Sequence, residues 1–240
     1  MITLTRDGDV AEIVLDAPSK LNALDLAGVE ELDAAFREAA GARALVLRGE
    51  GRAFCAGRDI SGVDPATDDV PGYLGMVEAL MRRISGFAAP TFAAVQGACL
   101  GVGIGLAIAT DVVYVADDAK IGSPFAGLGA VLDSGGHALL FERLGAHRAF
   151  DLIYTGELMS GADAVAAGLF SRSMPARAPG VHARARGACR RGADRSVPRV
   201  QARDRATARR APVGCRARRD PRAGCVAPHP RLRRGLRVLP

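Results

Sequence analysis

The sequence predicts an α/β protein whose strands pair largely in parallel. Short β-rich runs and helical patterns alternate along residues 1–175, which is typical of layered α/β folds. The run at residues 44–48 (ALVLR) is almost entirely apolar, as expected of a strand buried on both faces. The segment at residues 101–110 combines glycine, alanine and small aliphatic residues, which indicates a helix buried on most of its sides.

Local signals place each element in order. Residues 7–9 (DGD) separate the first two β-rich runs and predict a hairpin. Asp25 and Ser160 are suitable caps for the helices that follow them. The predicted strands are residues 2–6, 10–15, 44–48, 91–95 and 112–116. The predicted helices are residues 25–39, 73–87, 101–110, 134–144, 146–154 and 160–167.

The charge divides the 240-residue chain into two unlike parts. Residues 1–175 hold 13 basic and 23 acidic residues, whereas residues 176–240 hold 19 Arg, 3 Asp and neither Lys nor Glu. The tail also lacks Phe, Tyr, Ile and Met. We therefore predict a core domain at 1–175 and a basic, poorly ordered tail at 176–240.

Neither export nor membrane insertion is expected. The longest apolar stretch, residues 98–110, is interrupted by glycines and too short to cross a bilayer. The first residues (MITLTRD) lack the apolar run of a signal peptide. These features favour a cytoplasmic protein. The sequence has no Cys-x-x-Cys pair and no histidines at metal-ligand spacing, so no metal site is expected.

Two loops have the composition of backbone anion sites. Residues 52–59 (RAFCAGRD) follow a buried strand, and their small residues Ala56 and Gly57 allow a ligand to approach the main chain. Residues 96–105 (QGACLGVGIG) lead from a strand into a helix N-terminus, where amide groups lack helical acceptors. Facing one another, such loops would form an oxyanion hole. Close helix packing explains the second loop equally well when it is taken alone.

Together these loops resemble the enoyl-CoA hydratase/isomerase (crotonase) superfamily. The matching pieces are residues 18–24, 54–59, 90–111, 121–125 and 162–169, in the family's order. The resemblance covers about residues 1–175. It implies a ββα spiral core that binds an acyl-CoA thioester, which is the substrate, so no separate cofactor is expected. It also implies a homotrimer or a dimer of trimers.

The resemblance implies roles for particular residues. The backbone N–H groups of Arg58 and Val102 would hold the thioester oxygen, with Val102 where the family usually has glycine. The other positions that fall in the substrate-binding or CoA-binding region are Lys20, Ala56, Gly57, Asp59, Gly101 and Phe125. For Lys20 taken alone, an ordinary solvated side chain is the favoured interpretation.

The proton-transferring group distinguishes branches of this family. Typical hydratases have two glutamates at the positions of Gly105 and Phe125, and neither residue can carry a proton here. Residues 127–136 (GLGAVLDSGG) resemble the isomerase branch instead, which implies that Asp133 is the single catalytic acid and base. A helix cap at Asp133 is the structural alternative. The predicted activity is double-bond migration or epoxide isomerisation, with a hydratase-type lyase or an impaired acyl-CoA binder as alternatives.

The tail does not match the family's C-terminal helices. Arginine without lysine or glutamate, among Ala, Gly and Pro, is typical of a GC-rich gene translated in a shifted frame. The sequence shows no sustained helical stripe of apolar residues there. A second function class therefore stays open, in which the tail binds polyanions nonspecifically and with steep salt dependence. The lack of interleaved aromatic residues disfavours dedicated nucleic-acid recognition.

Overall fold

The computed structural model describes residues 1–64, 66–123, 136–175 and 180–194. Their strands are β1 Ile2–Asp7, β2 Val10–Leu15, β3 Ala44–Gly49, β4 Thr91–Val95, β5 Ala98–Leu100, β6 Val112–Ala116, β7 Lys120–Gly122, β8 Met159–Ser160 and β9 Arg172–Met174. Their helices are α1 Leu26–Glu38, α2 Val70–Ser85, α3 Val102–Ala109, α4 Gly136–Thr155, α5 Gly161–Ala166 and α6 Val181–Asp194, with a 3-10 turn at Pro18–Lys20.

The main sheet confirms the predicted parallel arrangement. Within the described residues its strand order is β1-β2-β3-β4-β6-β9, with an antiparallel hairpin between β1 and β2 and parallel pairing from β2 onward. Strand β3, predicted to be buried on both faces, has every residue buried except the partly buried Arg48, and every residue of β2 and β4 is buried as well. The DGD turn joins the two hairpin strands as expected, with Gly8 at a φ of 59°.

A second, smaller sheet was not predicted from the sequence. It has the order β5-β7-β8 in the described part of the chain, and its strands are only two or three residues long. The order β4-β5-α3 and then β6-β7-α4 repeats a ββα unit, whose first strand joins the main sheet and whose second joins the small sheet. This repetition is the ββα core that the family resemblance implies.

Capping explains where the helices begin. The Asp25 carboxylate accepts the Gly28 amide at 2.8 Å, and Ser160 Oγ accepts the Asp163 amide at 3.0 Å, as predicted. Helix α2 begins three residues earlier than expected because Asp69 accepts the Gly72 amide at 2.9 Å. Gly145, with φ 73° and ψ 167°, breaks α4 where the sequence predicts the junction of two helices.

Helix α6 corrects the prediction for the start of the tail. Its residues Val181, Ala185 and Cys189 are buried at intervals of four, so an apolar helical stripe does exist there. The sequence pattern did not predict this stripe because its three residues have small side chains and are separated by arginines. The helix packs across β3, β4 and β6. The other tail residues, 176–179 and 195–240, lie outside the described part. Poor order therefore stays a prediction for them.

Ion pairs hold α6 against the first strands. The Glu12 carboxylate, buried on β2, lies 2.8 Å from Arg48 Nε and 3.1 Å from His182 Nε2. Burial by itself would raise the pKa of Glu12, but hydrogen bonds from Arg48 and His182 outweigh it and lower that pKa. Arg186 pairs with Asp7 at 3.1 Å, and Arg190 pairs with the same carboxylate. These α6 arginines are thus neutralised within the fold. Among the described residues, no helix has the length and apolar character needed to cross a membrane.

Candidate active site

The two predicted loops meet at Gly57. A Cβ atom built on Gly57 would lie 3.0 Å from the carbonyl oxygen of Leu100 and 3.9 Å from the amide nitrogen of Val102. Gly57 also has a φ of 103°, a conformation that side chains rarely adopt. Glycine is therefore required here by both space and backbone, and the two loops lie against each other at this position.

The place where residues 56–59 approach residues 100–102 is called the notch below, and helix α3 forms one side of it. Val102 is its first residue, so its N–H group has no carbonyl acceptor within the helix. Gly101 precedes it at φ 52° and ψ −115°, which turns the chain from β5 into the helix. All eight residues of α3 are buried. The positive end of the helix dipole therefore lies in a protected environment, where it favours negative charge.

The other side of the notch is anchored to residues 21–24. The Ala56 amide donates to the Leu21 carbonyl at 3.0 Å, and the Asp59 amide donates to the Leu24 carbonyl at 3.0 Å. The Leu24 amide in turn donates to the Gly57 carbonyl at 2.9 Å. These bonds fix the main chain on both sides of Arg58, whose amide is the second donor that the resemblance implies.

Asn22 organises the loop beneath this anchor. Its side chain donates to the carbonyls of Glu50 at 2.9 Å and Ala53 at 2.8 Å, while its Oδ1 accepts the Ala17 amide at 2.9 Å. Asn22 is 1% exposed and has a φ of 58°, a left-handed conformation that asparagine tolerates better than most residues. In the sequence Asn22 is only one member of the matching piece at residues 18–24, and its hydrogen bonds in the structure show its physical role.

The Arg58 side chain is engaged away from its own amide. Its guanidinium lies 2.5 Å from Asp68 and 4.3 Å above the centre of the Tyr73 ring. The Tyr73 hydroxyl donates to the Leu24 carbonyl at 3.0 Å. The Arg58 side chain is therefore held by Tyr73 of helix α2 and by Asp68, which lies just before that helix.

Lys20 and Asp59 form an ion pair at the rim of the notch. Lys20 Nζ lies 2.8 Å from Asp59 Oδ2, and the Ser61 amide donates to Asp59 Oδ1 at 2.9 Å. The hydrogen bond from Lys20, together with those from Ser61, lowers the pKa of Asp59 to about 2. The same pair raises the pKa of Lys20, chiefly through the hydrogen bond to Asp59. The half-exposed ammonium group lies beside residues 56–59, and contact with CoA stays a prediction.

Two thiols lie behind the notch. Cys55 and Cys99 face each other across a parallel bridge, and both are fully buried. Burial raises the pKa of Cys55 to about 12, and burial together with the neighbouring Cys55 raises the pKa of Cys99. Both thiols are protonated at neutral pH. Small-residue packing, as expected from the sequence, is therefore their role.

Gly105 lies one helical turn beyond Val102, beneath a methionine. A Cβ atom on Gly105 would lie 2.9 Å from the Met81 methyl carbon and 3.5 Å from its sulfur. Met81 belongs to α2 and is 5% exposed. An apolar thioether therefore occupies the space into which a side chain at position 105 would project, an arrangement that only the packing of α2 on α3 reveals.

The remaining predicted site residues, Phe125 and Asp133, lie outside the described residues. The chain enters that segment through Ser123, which the sequence analysis did not single out. Its hydroxyl is buried and has no hydrogen-bond partner among the described residues. No sequence pattern marks such a group, because only the packed structure decides which hydroxyls lose contact with water.

A cavity of about 420 Å³ lies elsewhere, at the carboxyl ends of β3, β4 and β6. Its lining includes Arg48, Arg52, Gln96 and His182 but none of the predicted site residues. In the described part of the chain, no group of three or more His, Cys, Asp or Glu side chains is placed to hold a metal ion.

The architecture defines an α/β protein of the ββα spiral class, in which the loop at residues 52–59 packs against the N-terminus of helix α3. A family model of enoyl-CoA hydratase/isomerase matches residues 5–211. The chain belongs to the enoyl-CoA hydratase/isomerase family. The match continues beyond residue 175 and includes α6, so the family-like region is longer than predicted.

Named relatives agree with this membership. A Bacillus subtilis (strain 168) protein named as an enoyl-CoA hydratase/isomerase is 37% identical over 169 residues, covering 68% of this chain and 66% of the relative. A Rhizobium meliloti (strain 1021) protein named as an enoyl-CoA hydratase is 38% identical over 168 residues, covering 69% and 65%. The match thus spans just under two thirds of the length of these two relatives.

Solved structures share the fold. The enoyl-CoA hydratase of Bacillus anthracis superimposes with a TM-score of 0.78 at 28% identity, covering 86% of this chain and 82% of that one. An enoyl-CoA hydratase subunit I from Geobacillus kaustophilus gives a TM-score of 0.78 at 31% identity, covering 88% and 81%. The predicted crotonase-like fold is confirmed.

Proposed function

We propose that this chain is an enzyme that binds an acyl-CoA thioester with its carbonyl oxygen between the Arg58 and Val102 amides. The observation that carries the proposal is the approach of Gly57 to Leu100 and Val102, which brings the two loops within a few ångströms. Main-chain amides held by surrounding bonds need no rearrangement as negative charge develops on an oxygen. Removing one such donor in other enzymes costs about 3–4 kcal/mol of barrier lowering.

The proposed reaction is migration of a double bond from the 3-position to the 2-position of the acyl chain, or the isomerisation of a ring epoxide. Ionised Asp133 removes a proton from the α-carbon, and the electron pair moves onto the thioester oxygen as an enolate. Protonated Asp133 then returns the proton to the γ-carbon while the enolate collapses, so the double bond becomes conjugated. One carboxyl group suffices because the proton that leaves also returns.

The surroundings of Gly105 support isomerisation over hydration. Addition of water needs groups that activate the water as well as the α-carbon. Gly105 carries no side chain, and the Met81 methyl group occupies the adjoining space. Phe125 cannot transfer a proton either. Asp133 is thus the carboxyl group assigned to this chemistry.

Hydration is the second candidate, because several relatives carry the name enoyl-CoA hydratase. The chain would then hydrate a 2-enoyl-CoA. An acyl-CoA binder without turnover is the third outcome. The homotrimer or dimer of trimers that the family resemblance implies is a separate proposal from the site.

One experiment separates these functions. Purified protein is mixed with 3-hexenoyl-CoA and, separately, with 2-hexenoyl-CoA, while absorbance of the conjugated thioester is followed. Isomerisation raises the absorbance in the first mixture, and hydration lowers it in the second. We expect Asp133→Asn to reduce the first rate by about 100-fold or more. The control is Asp9→Asn, which changes an exposed carboxylate on the β1–β2 turn.

The outcomes are distinct. If absorbance with 3-hexenoyl-CoA rises equally fast in wild type and Asp133→Asn, Asp133 is not the proton carrier. A fall with 2-hexenoyl-CoA and no rise with 3-hexenoyl-CoA would replace isomerisation by hydration. Binding of both thioesters without turnover would leave an acyl-CoA binder.

A further inference from the structure

We infer that the Ser123 hydroxyl is a third hydrogen-bond donor to the thioester oxygen, beside the two main-chain amides. This inference rests on the proposed function, since it adds a side chain to the same ligand atom. It assigns a substrate-binding role to a residue that lies in the matching piece at residues 121–125 but was given no role there.

Strand pairing places Ser123 at the notch. Strands β5 and β7 run in parallel with Leu100 opposite Gly122, and the Gly101 amide donates to the Gly122 carbonyl at 3.1 Å. Neighbouring strands lie about 4.8 Å apart. Ser123 therefore continues β7 next to Gly101, the residue that precedes Val102 and the start of α3.

The hydroxyl of Ser123 differs from the other buried polar groups of the described chain. Ser123 is 1% exposed, and its Oγ has no hydrogen-bond partner among the described residues. By contrast, Glu12 pairs with Arg48, and Thr91 Oγ1 donates to Asp111 at 2.8 Å. Thr110 Oγ1 donates to the Ala107 carbonyl at 2.7 Å. Buried polar groups are almost always hydrogen-bonded, so an orphan hydroxyl beside a ligand notch indicates a group satisfied by the ligand.

The surroundings favour a ligand oxygen as its partner. The carbonyl of the adjacent Gly122 accepts the Gly101 amide at 3.1 Å and receives no hydrogen bond from the Ser123 hydroxyl. Ile121 is fully buried, and the helix dipole at Val102 favours negative charge. A hydroxyl in this place donates best to an oxygen that carries negative charge. The thioester oxygen, whose charge grows as the enolate forms, has that character.

The test is the variant Ser123→Ala, examined by thermal unfolding and by calorimetric titration with butanoyl-CoA and with free CoA. Butanoyl-CoA has no double bond, so the titration measures binding without turnover. We expect the variant to bind butanoyl-CoA about threefold to tenfold more weakly and free CoA equally well. Its melting temperature in the absence of ligand should equal or exceed that of wild type, because the substitution removes an unsatisfied group.

Thr110→Val is the matched control. It removes a buried hydroxyl that has a structural partner, so it should lower the melting temperature and leave butanoyl-CoA affinity unchanged. Equal butanoyl-CoA affinity in Ser123→Ala and wild type would overturn the inference, and so would a melting temperature lowered as in the control. If wild type binds no butanoyl-CoA, the proposed function fails and this inference fails with it.

Discussion

Gly103 packs directly against the main chain of Cys55. A Cβ atom on Gly103 would lie 2.3 Å from the Cys55 carbonyl oxygen and 3.1 Å from the Cys55 Cβ atom. This approach brings the first turn of α3 against the strand that leads into Gly57. The separation of the two amides that form the notch is therefore set by a glycine on one loop and the backbone of the other.

The first prediction concerns Gly103→Ala. The added methyl group meets backbone that cannot move independently, so the two loops must separate. We expect a loss of about 2–4 kcal/mol of unfolding free energy and loss of acyl-CoA binding. Urea unfolding and calorimetric titration measure the two effects.

The matched control is Gly75→Ala in α2. Gly75 is exposed, and a Cβ there would meet nothing within 4 Å. Alanine is the better helix former, so this variant should gain about 0.4–1 kcal/mol. Equal stabilities of the two variants would contradict the close packing of Gly103.

The second prediction concerns Asn22→Ala. The change leaves the buried carbonyls of Glu50 and Ala53 without their side-chain donor and the Ala17 amide without its acceptor. We expect unfolding free energy to fall by about 2–4 kcal/mol, measured by urea denaturation. Asn22→Asp keeps the acceptor but places a buried, ionised carboxylate against the two carbonyl oxygens, so its loss at neutral pH should equal or exceed that of Asn22→Ala. A neutral effect of Asn22→Ala would show that this network does not hold the loop.

The third prediction is a pH dependence that originates in Asp59. Its pKa is about 2 in the folded protein against an ordinary 3.8, so the folded state favours the ionised form. The resulting stability is fully present above about pH 4 and is lost as the pH falls toward 2. The stability advantage of wild type over Asp59→Asn should therefore shrink across that window.

The measurement is urea unfolding of both proteins at several pH values from 2 to 6. Asp9→Asn serves as the control, since it removes an exposed carboxylate that lies 3.4 Å from Arg43 at the protein surface. A constant difference between wild type and Asp59→Asn across this range would refute the assignment.

The fourth prediction tests the docking of α6. Ala185 is fully buried against the sheet, whereas Ala183 on the same helix is exposed. Ala185→Lys places an unpaired charge in the packed face and should cost about 3 kcal/mol or release the helix. Ala183→Lys should change stability by less than about 0.5 kcal/mol.

Amide hydrogen exchange of residues 181–194 measures whether α6 stays folded and packed on the sheet. Protection should fall in Ala185→Lys and persist in Ala183→Lys. Similar exchange in the two variants would mean that the apolar stripe does not hold the helix on the sheet.

Local patterns predicted the elements that depend on local chemistry. Strand β4 was predicted with the observed ends, and Asp25 and Ser160 cap the predicted helices. The break at Gly145 likewise follows from one glycine between two helical patterns. By contrast, the small sheet escaped notice because its strands are too short to show an alternation of side chains.

Residue type and order were enough to predict the ββα class, the two glycine-containing loops and the family. The contact of Gly57 with Leu100, the position of Met81 over Gly105 and the unsatisfied Ser123 hydroxyl became visible only in the folded chain. They could not be predicted because they are relations between segments far apart in the chain. Packing in three dimensions decides which distant residues come into contact, and no local sequence pattern encodes those contacts.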